Sequence, residues 1–307
     1  MGTPEFAVGI LDTIVKNNYE VVGVITAADK PAGRGQKLKY SAVKEYALEN
    51  NLRLLQPTNL KDETFLAELK ALDTNLQVVV AFRMLPKVVW EMPEFGTFNL
   101  HASLLPDYRG AAPINWAIIN GETKTGVTTF FIDDKIDTGA MILSAETAIG
   151  PEENAGQLHD RLMELGSRTV VETLDLIANG KANTTIQQDD HEIKTAYKLN
   201  KENCKIDWNK SAADIHNLIR GLSPYPAAWC YFRDANQEWN VKIFEAKILV
   251  EDHQEPIGKI TAGKKELKIA VSGGFMQILS LQFPGKNKMT AQQLLNGISF
   301  SAGANAC

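Results

Sequence analysis

The feature that most constrains this chain is the β–α alternation of its first half, in which short apolar runs are separated by helical patterns. The run LQVVVAF (76–82) is apolar at nearly every position, and such a strand must be buried on both faces. Further strand candidates are YEVVGVIT (19–26), LRLLQP (52–57), GTFNLH (96–101), GVTTFFI (126–132) and AMILSAETAI (140–149). Helical spacing appears near 5–17, 41–51, 62–72, 86–92, 112–120 and 153–179. This alternation predicts an α/β fold built on a doubly wound, mostly parallel sheet. The chain opens at MGTPEF, a loop-plus-helix sequence, whereas such a sheet normally begins with a strand feeding its first helix. The expectation is a sheet lacking its central strand, and a natural start upstream of Met1.

After the polar segment ANGKANTTIQQDDHEIK (178–194) the pattern changes to short strand-like pieces, WCYF, VKIFEAKILV, LKIAVSG and MQILSLQF, set between Gly, Asn and Lys turns. That spacing predicts a small β-barrel of the OB-like, nucleic-acid-binding type. The expected organisation is a catalytic domain over 1–180, a linker over 181–199 and a barrel over 200–307. Charge is divided along the same line. From residue 195 onward there are 14 Lys and Arg against 10 Asp and Glu, a net of +4, which leaves −9 for residues 1–194. An acidic catalytic part and a basic docking part fit this split, as does ordinary surface variation. Three cysteines, Cys204, Cys230 and Cys307, are too few and too scattered for a disulfide framework or a zinc cluster. No run reaches the roughly 18 apolar residues of a membrane span, and no basic segment opens a secretory signal. A cytoplasmic protein without membrane contact is expected.

The most informative segment is FNLHASLLPDYRGAAPINWAI (98–118). Asn99 and His101 lie two apart on a strand, so they share a face. They also sit at the strand's carboxyl end, where open α/β sheets bind ligands. An amide and an imidazole there can hold an oxyanion and handle a proton, although a strand-end His and Asn serve structure equally well. In IDDKIDTGAMI (132–142) Asp137 falls on a loop between strands, placed to orient His101 and stabilise its protonated form. DTG also occurs in aspartic proteases, but their chemistry needs two such carboxylates and there is one DTG. DKPAGRGQKLK (29–39) is a glycine-rich basic loop carrying Lys30, Arg34, Lys37 and Lys39. It lacks the third glycine of a dinucleotide fingerprint and the lysine pattern of a P-loop. Phosphate contact and a solvated surface remain the alternatives. Near the C-terminus Trp208 and Trp229 read as core and His216 as one polar point on a helix, while Lys264, Lys265, Lys268, Lys286 and Lys288 either line a phosphate-binding face or simply solubilise.

Taken in order, MGTPEFAV, KPAGRGQKL, FNLHASLLPDYRGAAPI, DTG, IDW, RGLSPYPAAW and PGKNKMTAQQLLNG resemble the bacterial methionyl-tRNA formyltransferase family. The resemblance runs essentially end to end. It implies transfer of formyl from 10-formyltetrahydrofolate, a substrate rather than a bound cofactor, to the α-amino group of methionine on initiator tRNA. It implies catalytic roles for Asn99, His101 and Asp137, and folate contact by Ser103, Leu104, Leu105 and Pro106. For tRNA it implies the loop with Arg34, Lys37 and Lys39, and a barrel whose Lys264, Lys286 and Lys288 meet phosphates. No metal and no permanently bound cofactor are expected, and the protein is expected to be a monomer. The alternative within this chemistry is a formyltransferase acting on a small amine, such as an amino sugar or glycinamide ribotide. A non-catalytic RNA-binding protein and a nucleotide-dependent dehydrogenase are the alternatives outside it.

Overall fold

A computed structural model describes residues 1–32, 37–188 and 192–307. The chain forms two compact units, one of Met1–Pro113, Lys124–Ala148 and His159–Thr195, the other of Ile114–Thr123, Ile149–Leu158 and Ala196–Cys307.

In the first unit β1 (Val24–Ile25) pairs in parallel with β2 (Leu54–Leu55). A four-stranded sheet is formed by β3 (Gln77–Val80), β4 (Thr97–His101), β5 (Lys124–Phe131) and β6 (Met141–Ala148), in that order. The pair β3–β4 is parallel, while β4–β5 and β5–β6 are antiparallel. The sheet is therefore mixed, with β5 alone running against β3, β4 and β6. The reason is local: β5 and β6 are joined by the short loop 132–140, too short for the crossover a parallel pair needs. Helices α1 (Glu5–Lys16), α2 (Ala42–Glu49), α3 (Glu63–Lys70) and α4 (Lys87–Trp90) alternate with the strands. Ser41 and Asp62 cap α2 and α3 by accepting from the backbone N–H three residues on. Leu69, Val89, Val79 and Ile25 are buried in one core under this unit. On the helix that runs from Ala155 to Ala178, Thr173 meets Thr129 of β5 through paired hydroxyls at 2.8 Å.

The first two residues occupy the place of a central strand. Gly2 N donates to Ile25 O (3.0 Å), Val80 N donates to Met1 O (2.9 Å), and the Met1 amine donates to Val78 O (2.6 Å). Met1 and Gly2 thus stand as a two-residue strand between β1 and β3. A Cβ on Gly2 would lie 2.4 Å from that of Ala7 and 2.9 Å from Val80 O, so glycine is required there. In line with these residues lies a cavity of about 400 Å³, walled by residues that include Val22, Val24, Leu72, Val78, Leu174 and Ile177. Burial pushes the pKa of the Met1 amine down to about 5.

The second unit is built on an antiparallel sheet of β7 (Ala228–Asp234), β8 (Gln237–Val250), β9 (Ile260–Ala262), β10 (Leu267–Val271), β11 (Gly274–Gln282), β12 (Met289–Thr290) and β13 (Asn305–Ala306). Its spatial order is β9-β10-β11-β8-β7-β13, with β12 added to β11. A bridge from Asn305 to Lys259, just before β9, brings the two ends together. The result is a nearly closed barrel, and a bulge between Ile243 and Ala246 bends its longest strand. Trp208, Trp229, Phe232, Leu267 and Met276 fill its core with Ile215 and Ile219 of the helix Ala212–Leu222. Both tryptophans are core, as the sequence suggests. Ser211 caps that helix.

Candidate active site

Strand β4 carries the site because it pairs on both sides. Phe98 and Leu100 are buried at 0% and 3% exposure, and they fix the side to which Asn99 and His101 project. His101 is 6% exposed. Its Nε2 lies 2.8 Å from Tyr108 O. A carbonyl only accepts, so Nε2 carries a hydrogen. The other ring nitrogen, Nδ1, faces Asp137 Oδ2 at 3.8 Å. That carboxylate oxygen also accepts from Gly110 N at 2.9 Å. Any proton on Nδ1 therefore has a carboxylate beside it, held by the backbone of the DYRGAAP loop. Asp137 sits in the left-handed region at φ +55°, which is uncommon away from glycine. The buried Oδ1 of Asn99 finds no hydrogen-bond donor among the described residues.

The loop after His101 is tightly held. Ser103 Oγ donates to Asp107 O at 2.7 Å. Thr128 of β5, the register partner of His101, donates to Ser103 O at 2.8 Å and accepts from Leu105 N at 3.2 Å. Ser144 Oγ lies 3.1 Å from the same hydroxyl. Leu105 is buried, Leu104 rests over Gly126, and a cis bond joins Leu105 to Pro106. Sequence reasoning missed Thr128, because a threonine in a strand reads as β propensity alone. It also missed Gln187, which stands in the polar segment expected to be a linker. Gln187 is 9% exposed. It accepts from Arg109 Nε and Nη2 (3.0 and 2.7 Å) and donates to the carbonyls of Asp137 and Gly139 (both 2.9 Å).

Of the basic residues, Lys39 is exposed, while Arg34 and the side chain of Lys37 lie outside the described residues. The base of that loop is anchored, since Lys44 Nζ meets Asp29 Oδ2 at 2.5 Å and Gln56 donates to Asp29 Oδ1 at 2.9 Å. These contacts hold the Asp29 carboxyl below its usual range. In the second unit Lys264 and Lys286 are exposed, and Lys288 lies 3.3 Å from Glu245 and 5.0 Å from the Phe244 ring centre. His216 is buried beside Glu152 at 3.3 Å, and burial is the main cause holding it below its ordinary value. Among the described residues, no group of three or more His, Cys, Asp or Glu is placed to hold a metal, and no helix is long and apolar enough to cross a membrane.

The arrangement is an imidazole, a carboxylate and an amide at the carboxyl edge of a mixed sheet, backed by a pinned loop. It suits acyl transfer to an amine. Comparison with known proteins agrees. The chain is 77% identical over 301 residues to a methionyl-tRNA formyltransferase of Flavobacterium johnsoniae, covering 98% of this chain and 96% of that one. It is 53% identical over 308 residues to the protein of that name from Bacteroides thetaiotaomicron, covering 99% and 96%. An N-formyltransferase from Helicobacter canadensis, solved with folinic acid and dTDP-3-aminofucose, superposes with a TM-score of 0.64 at 24% identity, over 90% of this chain and 96% of the other. Residues 1–174 match the formyl transferase profile and residues 198–299 the formyl transferase C-terminal domain profile, and the chain belongs to the formyl transferase family.

Proposed function

We propose that this protein transfers the formyl group of 10-formyltetrahydrofolate to the α-amino group of methionine on initiator methionyl-tRNA, the step that readies that tRNA for translation initiation. The observation that carries the reading is the near-complete match, along both chains, to the Flavobacterium johnsoniae methionyl-tRNA formyltransferase. The small-amine alternative has no comparable support, since the sugar formyltransferase shares the fold at low identity.

The site residues fit the chemistry. The methionine amine attacks the formyl carbon, and the carbonyl oxygen gathers negative charge in a tetrahedral intermediate. Asn99 and doubly protonated His101 supply hydrogen-bond donors to that oxygen, each worth about 3–4 kcal/mol in comparable sites. Nε2–H is spent on Tyr108 O, so the proton on Nδ1 is the one that answers to the reaction. Asp137 holds that imidazolium and, through water, takes the proton shed by the attacking amine. The C–N10 bond then breaks, and N10 of the folate takes up, through the same water, the proton that Asp137 accepted from the amine. Ser103, Leu104, Leu105 and Pro106 shape the folate side, and the loop with Arg34, Lys37 and Lys39 contacts the acceptor end. Lys264, Lys286 and Lys288 meet tRNA phosphates. The protein acts as a cytoplasmic monomer.

The test is incubation with methionyl-tRNA and 10-formyltetrahydrofolate, scoring formyl-methionine. Asn99→Ala, His101→Ala and Asp137→Ala should each lower turnover about a hundredfold or more. Near-normal turnover in any two of them would dismantle the assigned site, and formylation of a small amine in preference to methionyl-tRNA would overturn the substrate.

A further inference from the structure

We infer that Gln187 is a positioning residue for the reaction, the clamp that fixes the Asp137 loop and Arg109 around His101. The inference rests on the assignment of His101 and Asp137 made above. Three observations carry it. First, Gln187 is nearly fully buried although it stands in a polar stretch of low helical and strand content. A buried primary amide must satisfy its donors and acceptor. Both ends of Gln187 do so, and every partner belongs to the site. Its Oε1 takes two N–H groups of one guanidinium, and its Nε2 spans two carbonyls separated by a single residue.

Second, the backbone being held is strained. Asp137 adopts φ +55°, a left-handed conformation that residues other than glycine take up uncommonly. Gly139 lies in the same tight turn, where a Cβ would come within 1.7 Å of Phe131 O. The Gln187 amide grips this turn at its two ends. Third, the geometry downstream is exacting. Asp137 Oδ2 stands 2.9 Å from Gly110 N and 3.8 Å from His101 Nδ1. Gly110 directly follows Arg109, so one side chain secures both walls of the gap in which the imidazolium is held. Relaxing either wall moves the carboxylate relative to the ring, and a displacement of about 1 Å at a reacting group costs up to about a hundredfold in rate.

The experiment separates the two ends of the amide and tests whether the effect passes through Asp137. Gln187→Leu keeps the volume and removes both ends. Gln187→Glu keeps the acceptor for Arg109 and removes the donor to the two carbonyls. Both variants should lose about ten- to a hundredfold in kcat, with KM for the folate donor changed less than about threefold. In the Asp137→Asn background, Gln187→Leu should add little further loss, because residues acting as one unit are not additive. A full additional loss in that background, or a wild-type kcat in Gln187→Leu, would overturn the inference. So would a normal kcat in Gln187→Glu, which would reduce the residue to an anchor for Arg109. If Asp137→Asn alone keeps normal turnover, the catalytic reading and this inference fall together, whereas loss in Asp137→Asn without loss in Gln187→Leu removes the inference alone.

Discussion

Replacing Thr128 by valine isolates the contribution of one buried hydroxyl to the loop that follows His101. The side chain is fully buried, and valine matches its shape, so packing is almost unchanged. The hydroxyl donates to Ser103 O at 2.8 Å and accepts from Leu105 N at 3.2 Å. Both backbone groups would be left without that partner. A buried polar group left unsatisfied costs about 1–3 kcal/mol, so two give about 2–6 kcal/mol if the loop stays in place. At about 2–4 °C per kcal/mol for a unit of this size, Tm should fall by roughly 4–24 °C. The alternative response is for the 103–106 loop to move until water reaches it. Stability then recovers, and the loss appears as a raised KM for the folate donor. Thermal unfolding and steady-state kinetics on the same preparation capture either route. Thr128→Ser keeps the hydroxyl and should show neither change beyond about 1 kcal/mol for the missing methyl. If Thr128→Val leaves both Tm and folate KM at the wild-type values, the hydroxyl does not organise this loop and the reasoning fails.

Three further outcomes are expected. Lys264→Ala and Lys286→Ala should each weaken tRNA binding and flatten its log–log salt dependence by about one unit for each phosphate no longer neutralised, while Lys288→Ala, whose charge is shared with Glu245, should do less; unchanged slopes would place tRNA elsewhere. His216 is held below its ordinary value of 6.5 by burial, so the unfolded chain takes up this proton more readily. Its contribution is therefore complete above about 6.5 and lost as pH falls through the lower folded value. The Tm difference between pH 7.5 and 5.5 should shrink in His216→Gln. Finally, three apolar residues fused before Met1 should continue its parallel line into the cavity beside Val78, burying side chains for about 6 kcal/mol against about 4–5 kcal/mol of ordering. Tm should rise by a few degrees with Val-Ile-Val and not with Gly-Ser-Gly.

Much of this molecule is legible where one residue's environment is set by its neighbours in sequence. The run over 76–82 can be satisfied only by burial on both faces, and β3 lies at the junction of two sheets. Asn99 and His101 follow from strand periodicity, since two residues apart on β4 means one face whatever the sheet order. Asp137 needs more: its loop is readable as a turn before Thr-Gly, but its approach to His101 depends on β4, β5 and β6 being neighbours. The direction of β5 is the point that alternation does not give: β5 runs against both of its neighbours, and its short connection to β6 makes that pair antiparallel however buried the strands are.

The residues that escape a sequence reading share a physical cause. Thr128 and Gln187 act through hydrogen bonds to backbone atoms of other segments, Ser103 and Leu105 in one case, Asp137 and Gly139 in the other. Such bonds leave no composition, period or spacing in the segment that supplies them. A threonine inside GVTTFFI is explained by β propensity, and a glutamine inside TTIQQDD by solvation. Each explanation is sufficient until burial is known. Burial is what separates them, because a solvated glutamine needs no partner and one at 9% exposure must find several. The residues assigned to the chemistry are visible because they differ in kind from their surroundings. The residues that hold them in place are chemically ordinary, and only the chain's return in three dimensions gives them a role. Gln187 lies 50 positions beyond Asp137, and it reaches the Asp137 turn because Thr185 pairs with Met141 at the start of β6. That pairing aligns the polar segment with the sheet edge, and it makes residues 185–187 part of the framework around His101.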